Sequence, residues 1–342
     1  MRLSVIIPVY NVEKYIERCV SSLQLQDIPK NDYEIIIIND GSPDNSRNIV
    51  LQLKDKWPNI IFIDQDNKGV SIARNAGINI SKGKYLLFID PDDYIEENSL
   101  SRVLNAASEK RSQVTFLGYT FLNENGDVKR NVFFADQKNK VYKGIDVYKI
   151  SRGDGNTDPD RSWAILFERN FMTEHSLRYL PNVPYLEDGE MIARALCVAD
   201  RCIFEGSSFY IRTTRIGSAT NSNLFYSDKA IAGFLNAAEN LSNFQQNERL
   251  NSSQKKFLNQ PVCKFILLAV NSSGKNNGSF KYPEVFKILK SKGLKCDIKG
   301  CNKYYRRDGF FFNLSPSLYT VVYKPIWSII DYIFFSIFKT HP

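Results

Sequence analysis

An open, doubly wound α/β sheet with mostly parallel strands is the fold class this sequence predicts, and three observations predict it. Solid runs of Ile, Val and Leu recur at short intervals, and runs that are apolar at every position suit strands covered on both faces. Amphipathic stretches with helical spacing separate those runs. The alternation of strand and helix repeats four times before a fifth strand, which is the pattern of βαβ crossovers.

Residues 3 to 8 (LSVIIP) form the first predicted strand, after which Asn11 is expected to cap a helix burying Ile16, Cys19, Val20 and Leu23. Residues 33 to 39 (YEIIIIN) form the second, followed by a helix capped by Ser42 with Ile49, Val50 and Leu53 inward. The third strand is 59 to 64 (NIIFID), with a helix marked by Ile72, Ala76 and Ile80. The fourth is 84 to 90 (KYLLFID), with Leu100, Val103, Leu104 and Ala107 on the helix after it, and the fifth is 113 to 119 (QVTFLGY). The pattern weakens after about residue 130. Residues 151 to 160 (SRGDGNTDPD) are long and polar enough to be a mobile lid. Residues 225 to 270 read as helical, and there are no internal repeats.

The chain has 342 residues, 43% hydrophobic and 24% charged, the balance of a globular protein with a sizeable core. No charged n-region followed by an apolar stretch and a cleavage site opens it, so the N-terminus is expected to belong to the fold. The six cysteines are at 19, 197, 202, 263, 296 and 301. Without a secretion signal they suggest a reducing, cytoplasmic setting. The C-x4-C spacings are wider than structural zinc usually takes, which favours ordinary buried thiols. The net charge of +8 is unevenly placed: residues 271 to 313 hold ten Lys or Arg against Glu284, Asp297 and Asp308. The first 270 residues are close to neutral.

In an open α/β sheet, ligands bind beyond the carboxyl ends of the strands. Here those ends carry Pro8-Val9-Tyr10-Asn11, Asn39-Asp40-Gly41-Ser42, Asp64-Gln65-Asp66 and Asp90-Pro91-Asp92-Asp93. Three carboxylates within four residues repel one another unless a cation sits among them, and hard oxygen ligands suit Mn²⁺ or Mg²⁺. The alternative is a Pro-containing turn with Asp93 as a helix cap. Asp40 can accept hydrogen bonds from a base or ribose, or simply cap a βα turn. Lys68, Arg74 and Asn75 stand at a loop-to-helix junction, where fixed cationic and amide donors suit a diphosphate; a solvated helix face is the bland reading.

PVYN at 8 to 11, NDGSPDNS at 39 to 46, NKGVSIARNAG at 67 to 77 and DPDD at 90 to 93 occur in that order. Together they resemble family-2 glycosyltransferases of the glycosyltransferase-A fold, firmly over about 100 residues and loosely to about residue 215. The resemblance implies an open Rossmann-like sheet flanked by helices, with a helical C-terminal extension. It divides the chain into a catalytic domain at 1 to 220 (a nucleotide-sugar half at 1 to 120 and an acceptor half at 121 to 220), a basic helical region at 221 to 312 and a tail at 313 to 342. Pro8, Tyr10, Asn11 and Asp40 would hold the nucleotide and Asp90 would approach the ribose. Asp92 would ligate a divalent metal bridging the donor diphosphate, with Lys68, Arg74 and Asn75 nearby. Glu187-Asp188 in YLEDGEM would supply the base, Asp188 taking the proton and Glu187 orienting it or meeting the acceptor. Both acids could instead merely favour the start of the next helix. Trp163 would stack on an acceptor sugar, or else be core. Arg212, Arg215 and Ser218 in FYIRTTRIGSAT would approach the diphosphate. Some relatives use a His as a further metal ligand, but His175 and His341 occupy no obvious ligand position, so water would complete the shell.

Residues 318 to 338 (LYTVVYKPIWSIIDYIFFSIF) are largely apolar but interrupted by Lys324, Pro325 and Asp331. A charge at mid-bilayer costs about 2.5 to 3.5 kcal/mol, which disfavours a span. In-plane association with an anionic membrane is expected instead, with packing on the protein as the alternative. The expected activity is therefore inverting, metal-dependent sugar transfer from a UDP-sugar or similar donor to a glycan or lipid-linked glycan, at the inner face of the cell membrane. A non-catalytic nucleotide-sugar or glycan-binding module is the alternative. A dinucleotide oxidoreductase is disfavoured because PVYNVEKY replaces G-x-G-x-x-G after the first strand. Nucleic acid is not an expected partner, since the one-sided charge comes with Phe and Ile runs.

Overall fold

The structure is a computed structural model that describes residues 1–138, 140–152, 160–214 and 223–326. The expected lid at 151 to 160, Arg215, Ser218, His341 and the tail beyond 326 lie wholly or largely outside the described residues. The chain forms two compact units, Met1–Ser218 and Ala219–Pro342.

The first unit opens with β1 (Leu3–Val9), α1 (Ile16–Gln24), β2 (Tyr33–Asp40), α2 (Ser46–Lys56), β3 (Ile60–Gln65), α3 (Val70–Ile80) and β4 (Tyr85–Phe88). It continues with β5 (Tyr94–Ile95), α4 (Leu100–Glu109), β6 (Val114–Leu122), β7 (Val128–Val132) and α5 (Gly144–Arg152). β8 (Ile165–Glu168), α6 (Arg169–Glu174), α7 (Glu187–Val198) and β9 (Cys202–Arg212) complete it. One sheet runs β3-β2-β1-β4-β8-β6-β9-β5, with β7 paired on β6. β3, β2, β1 and β4 are all parallel, with Ile6 level with Phe88 and Val9 level with Asn39, so their carboxyl ends share one edge. Past β4 the sheet becomes mixed, because β8 enters antiparallel between β4 and β6. β8 comes from SWAILFERNF, whose short apolar run carries no period of its own.

The layering follows the period-two alternation of the strands. Leu3, Val5, Ile7 and Val9 face the core shared with Ile16, Cys19, Val20 and Leu23 of α1 and Leu100, Val103 and Leu104 of α4. Ile6 and Ile38 face the opposite layer, where α3 lies. Gly77 lets α3 lie flat there, since a Cβ on it would come within 2.5 Å of Ile6 Cγ2.

Two expected caps are corrected. Asn11 adopts φ 56° and does not cap α1, whose preceding residue is Tyr15. Ser42 does not cap α2; its hydroxyl accepts from the Asn11 amide at 3.3 Å, and Asp44 accepts from the Ser46 amide instead. Both polar residues are used to staple the β1 and β2 end loops together.

The second unit holds α8 (Asp228–Gln245), α9 (Ser252–Ser273), α10 (Tyr282–Ser291) and α11 (Lys303–Leu314), so the region read as one helical stretch is a helical pair. Asn251 and Gln254 form a capping box that starts α9. Among the described residues no helix is long and apolar enough to cross a membrane. All six cysteines are buried.

Replacing Gly77 by Ala should push α3 off the sheet and lower the stability of the first unit by about 1 to 3 kcal/mol. The shift of its denaturant midpoint measures this, and an unchanged midpoint would show that the close approach is not needed.

Candidate active site

The site is built at the carboxyl edge of the parallel strands, beginning with the β2 loop. Gly41 has φ 65°, and a Cβ there would meet the Asn67 amide nitrogen at 2.7 Å. The close approach puts Asp40 under the 65–69 loop. Its carboxylate accepts from Gln65 Nε2 at 2.7 Å, the Lys68 amide at 2.9 Å and the Gly69 amide at 2.8 Å. Asp40 is buried and shapes the loop; the direct contact with a base expected of it would have to displace these bonds. The Lys68 side chain stays exposed, as do Tyr10 and Asn11, while Pro8 is buried within β1. Asp64, at the end of β3, is tied to Asn39 and Arg47.

Arg74 lies one turn before Gly77 on α3 and is only 3% exposed. Its Nη1 donates to Glu187 Oε1 at 2.7 Å and Asp188 Oδ1 at 3.0 Å, and its Nη2 donates to Asp90 Oδ1 at 3.0 Å. The guanidinium also stands 5.0 Å from the centre of the Tyr179 ring, a cation–π arrangement. The expectation that Arg74 reaches a diphosphate is thus corrected at Nη1 and Nη2, which are committed to three carboxylates, while Nε is buried with no hydrogen bond among the described residues. Asn75 is corrected likewise. Its amide exchanges hydrogen bonds with the backbone of Tyr179, at 2.8 and 2.9 Å, and fixes the approach to α7.

At α7 the chain turns through Leu186 at φ 58°, and Glu187, Asp188 and Glu190 fill the first helical turn. Glu190 is fully buried and paired with Arg194 at 2.7 Å, so it supports the helix. Glu187 and Asp188 keep side-chain exposures of 12% and 13%. Ser162 Oγ donates to Asp188 Oδ1 at 2.7 Å, so that oxygen takes two donors. Burial, then the charge of Asp188, pushes Glu187 up to about 7, with Arg74 opposing. Burial likewise raises Asp188, with Asp90 adding and Arg74 opposing. A carboxylate titrating near neutrality is suited to proton transfer.

The acidic loop after β4 is clamped from β9. Tyr210 Oη donates to Asp93 Oδ2 at 2.7 Å and accepts from the Asp90 amide at 3.2 Å; the Thr213 amide donates to Asp93 Oδ1 at 2.8 Å. Asp93 is buried, and its carboxyl is raised well above the usual range by burial, then by Asp92 and Asp90. The Asp92 carbonyl accepts from Arg18 Nη2 at 2.8 Å and Thr213 Oγ1 at 2.7 Å, and its side chain is half-buried at the rim. This concentrated negative field fits a hard divalent cation; burial, then Asp93, Asp92 and Asp90, raises the nearby Cys19 thiol. Among the described residues no three His, Cys, Asp or Glu side chains are grouped to hold a metal. One carboxylate plus donor phosphates is the arrangement Mg²⁺ and Mn²⁺ commonly accept.

Trp163 is not an open stacking platform. It is 5% exposed, stacked on Tyr210 at 5.1 Å and edge-on to Tyr119 at 5.0 Å. Arg212 lies over it and over Phe121, at 5.2 and 4.7 Å, as β9 ends. Ser162, Tyr179, Tyr210 and Thr213 are site residues that sequence reasoning missed. Each acts on a partner distant in sequence, and only the position of Ser162 beside Trp163 could have drawn attention to it.

Comparison with known proteins agrees with this geometry. The fold is the glycosyltransferase-A fold. A crystal structure of residues 1–349 of Staphylococcus aureus TarS in complex with UDP-GlcNAc superposes with TM-score 0.63 at 22% identity, over 85% of this chain and 80% of that one. A Pyrobaculum calidifontis mannosyltransferase in complex with GDP-Man and Mn²⁺ gives TM-score 0.51 at 14% identity, over 96% and 87%. Residues 4–169 match the glycosyl transferase family 2 profile. A poly(ribitol-phosphate) beta-glucosyltransferase of Bacillus spizizenii is 41% identical over 135 residues, 39% of this chain and 21% of the relative. The chain spans less than two thirds of the length of the first curated relatives it matches.

Replacing Arg74 by Met would leave Asp90, Glu187 and Asp188 facing one another without a cation. Breaking one side of a buried ion cluster typically costs about 3 to 5 kcal/mol, which a denaturant midpoint for the first unit should register. A parent-like midpoint would mean that Arg74 does not hold the site together.

Proposed function

We propose that this chain is an inverting, metal-dependent glycosyltransferase that moves a sugar from a nucleoside-diphosphate sugar, UDP-linked by preference, to a hydroxyl of a glycan or lipid-linked glycan. The observation that carries the reading is Arg74, which brings the acidic end of β4 and the carboxylate pair of α7 within reach of one side chain. Nucleotide-sugar complexes of structural neighbours, one of them with Mn²⁺, support the donor class. The name of the Bacillus spizizenii relative, a poly(ribitol-phosphate) beta-glucosyltransferase, supports a hydroxyl-bearing polymer as acceptor.

A sugar hydroxyl is a poor nucleophile until its proton leaves. Asp188 Oδ2 takes that proton while Ser162 and Arg74 hold Oδ1 and fix the carboxylate plane. Such a base contributes ~10²- to 10⁴-fold. Glu187, on the same guanidinium, orients the pair and meets the acceptor. The hydroxyl attacks the anomeric carbon from the side opposite the diphosphate, which inverts the centre. A divalent cation on Asp92 would neutralise charge building on the leaving diphosphate. Lys68, Arg212 and Arg215 are the cations assigned to that diphosphate, and Tyr10 and Asn11 the exposed groups for the nucleotide. The setting proposed is the cytoplasmic face of a membrane, where a lipid-linked acceptor is presented.

A panel of nucleotide sugars with Mn²⁺, followed by release of nucleoside diphosphate, tests the activity; donor binding with neither release nor transfer would favour the non-catalytic module. Asp92→Ala is expected to abolish metal-dependent turnover. Asp188→Asn should lose ~10²-fold or more in kcat with donor affinity retained, and a variant transferring at the parent rate would exclude Asp188 as base.

The pH profile follows from the raised carboxyls. A base must be ionised to act, so kcat should fall as pH drops through the raised range of the Glu187–Asp188 pair, in which burial lifts Asp188 above the usual carboxylate range and Glu187 to about 7. A profile flat down to the ordinary carboxylate range would show that the coupled pair does not gate the reaction.

A further inference from the structure

We infer that an outward-facing apolar stripe at the end of the second unit is a docking surface for an anionic lipid bilayer, on which it lies in the plane. The chain leaves α11 at Ser315 and stays helical from 316 to 326, passing through the π-helical segment Tyr319–Tyr323. Leu314, Leu318, Val321, Val322 and Ile326 are 46 to 69% exposed. From Leu318 on they fall at i, i+3, i+4 and i+8, the spacing that normally marks the buried face of a helix. Here that face points to solvent, joined by Phe310 and Phe311 at the end of α11.

The polar groups of the same segment point the other way. Asp308 is fully buried; it pairs with Arg307 at 3.0 Å and Lys324 at 3.4 Å, and accepts from the Tyr319 and Tyr323 hydroxyls at 3.3 and 3.4 Å. This anchor fixes the rotation of the segment, so the apolar face cannot roll inward without breaking a buried ion pair. Inverted amphipathicity held by a buried carboxylate is a built feature.

Charge selects the occupant. Asp308 is the sole acid between residues 303 and 326, and it faces inward. Nine of the ten Lys and Arg between 271 and 313 are exposed. A surface with nine exposed cations against the exposed acids Glu284 and Asp297 complements an anionic leaflet, where each cation contributes about 1 kcal/mol and the aliphatic groups enter the headgroup boundary. The sequence that follows, WSIIDYIFFSIF, continues the apolar character. The inference gives the proposed membrane setting a physical surface, and it stands on that surface rather than on sugar transfer.

The test is co-sedimentation of the full chain with vesicles of phosphatidylcholine containing phosphatidylglycerol, against phosphatidylcholine alone. Binding is expected to the anionic vesicles, to weaken in high salt, and to drop by about tenfold or more in the double variant Leu318→Glu, Val321→Glu. Both positions are exposed, so circular dichroism and nucleoside diphosphate release in detergent-free buffer should match the parent. Absence of vesicle binding, or parent-like binding by the double variant, would overturn the assignment. So would protection of a Val321→Cys thiol from a polar maleimide in lipid-free protein, which would show the stripe covered by residues 327 to 342 or by a second copy. Loss of transfer with intact vesicle binding would count against the catalytic reading alone.

Discussion

The buried guanidinium of Arg74 is the constraint on which the first unit depends. Taking a charged group out of water costs several kcal/mol, and only close, hydrogen-bonded partners offset it. Arg74 has three carboxylates, at separations of 16, 113 and 114 residues along the chain. Their attraction holds the guanidinium protonated, its pKa raised despite burial. The tie is long-range and hard to substitute. α3 cannot shift without stranding Asp90, and α7 cannot swing away without exposing Arg74 to unpaired burial. Gly77 sets the depth of α3 on the sheet and therefore the reach of the guanidinium.

One positive charge among three negative ones leaves an excess that the protein does not cancel. Glu187 and Asp188 sit at a helix N-terminus, which favours anions, yet both carboxyls are raised. Burial and mutual repulsion outweigh the helix dipole. That ordering of effects is what makes the pair useful: a carboxylate comfortable in its surroundings would be a weak base. The cost is carried by the scaffold, through the Asn75–Tyr179 clamp and the Glu190–Arg194 pair behind α7.

The parallel half of the fold was legible because each strand carries a solid apolar run and each crossover has its own amphipathic helix. Its loops were legible too, since the acids after β4 have no reason to cluster at random. β8 was not, because four apolar residues fix neither direction nor neighbour, and only pairing with β4 and β6 decides them. The same limit applies to side chains. Asp188 was legible only through the family resemblance that YLEDGEM carries, and the commitment of Arg74, Asn75 and Asp40 to internal partners depends on contacts that no local pattern encodes. Trp163 shows the limit from the other side: an aromatic beside a base reads equally as platform or core, and its packing between Tyr119 and Tyr210 settles it as core.

The acidic loop and the carboxylate pair are coupled through Asp90, which touches Arg74 by its side chain and Tyr210 by its amide. Tyr210 in turn donates to Asp93, whose other oxygen takes the Thr213 amide. A continuous chain of hydrogen bonds thus runs from the end of β9 through the acidic loop to the Glu187–Asp188 pair. Each member is buried or half-buried, where a hydrogen bond is stronger and an unpaired group costlier than at the surface. A cation arriving at Asp92 would lower the negative potential felt by Asp93 and Asp90. Through Arg74, that relief would reach the pair on α7 and deepen the ionisation of the base. Under the proposed function, donor-side charge and acceptor-side basicity would therefore be set by one electrostatic network rather than by two independent sites.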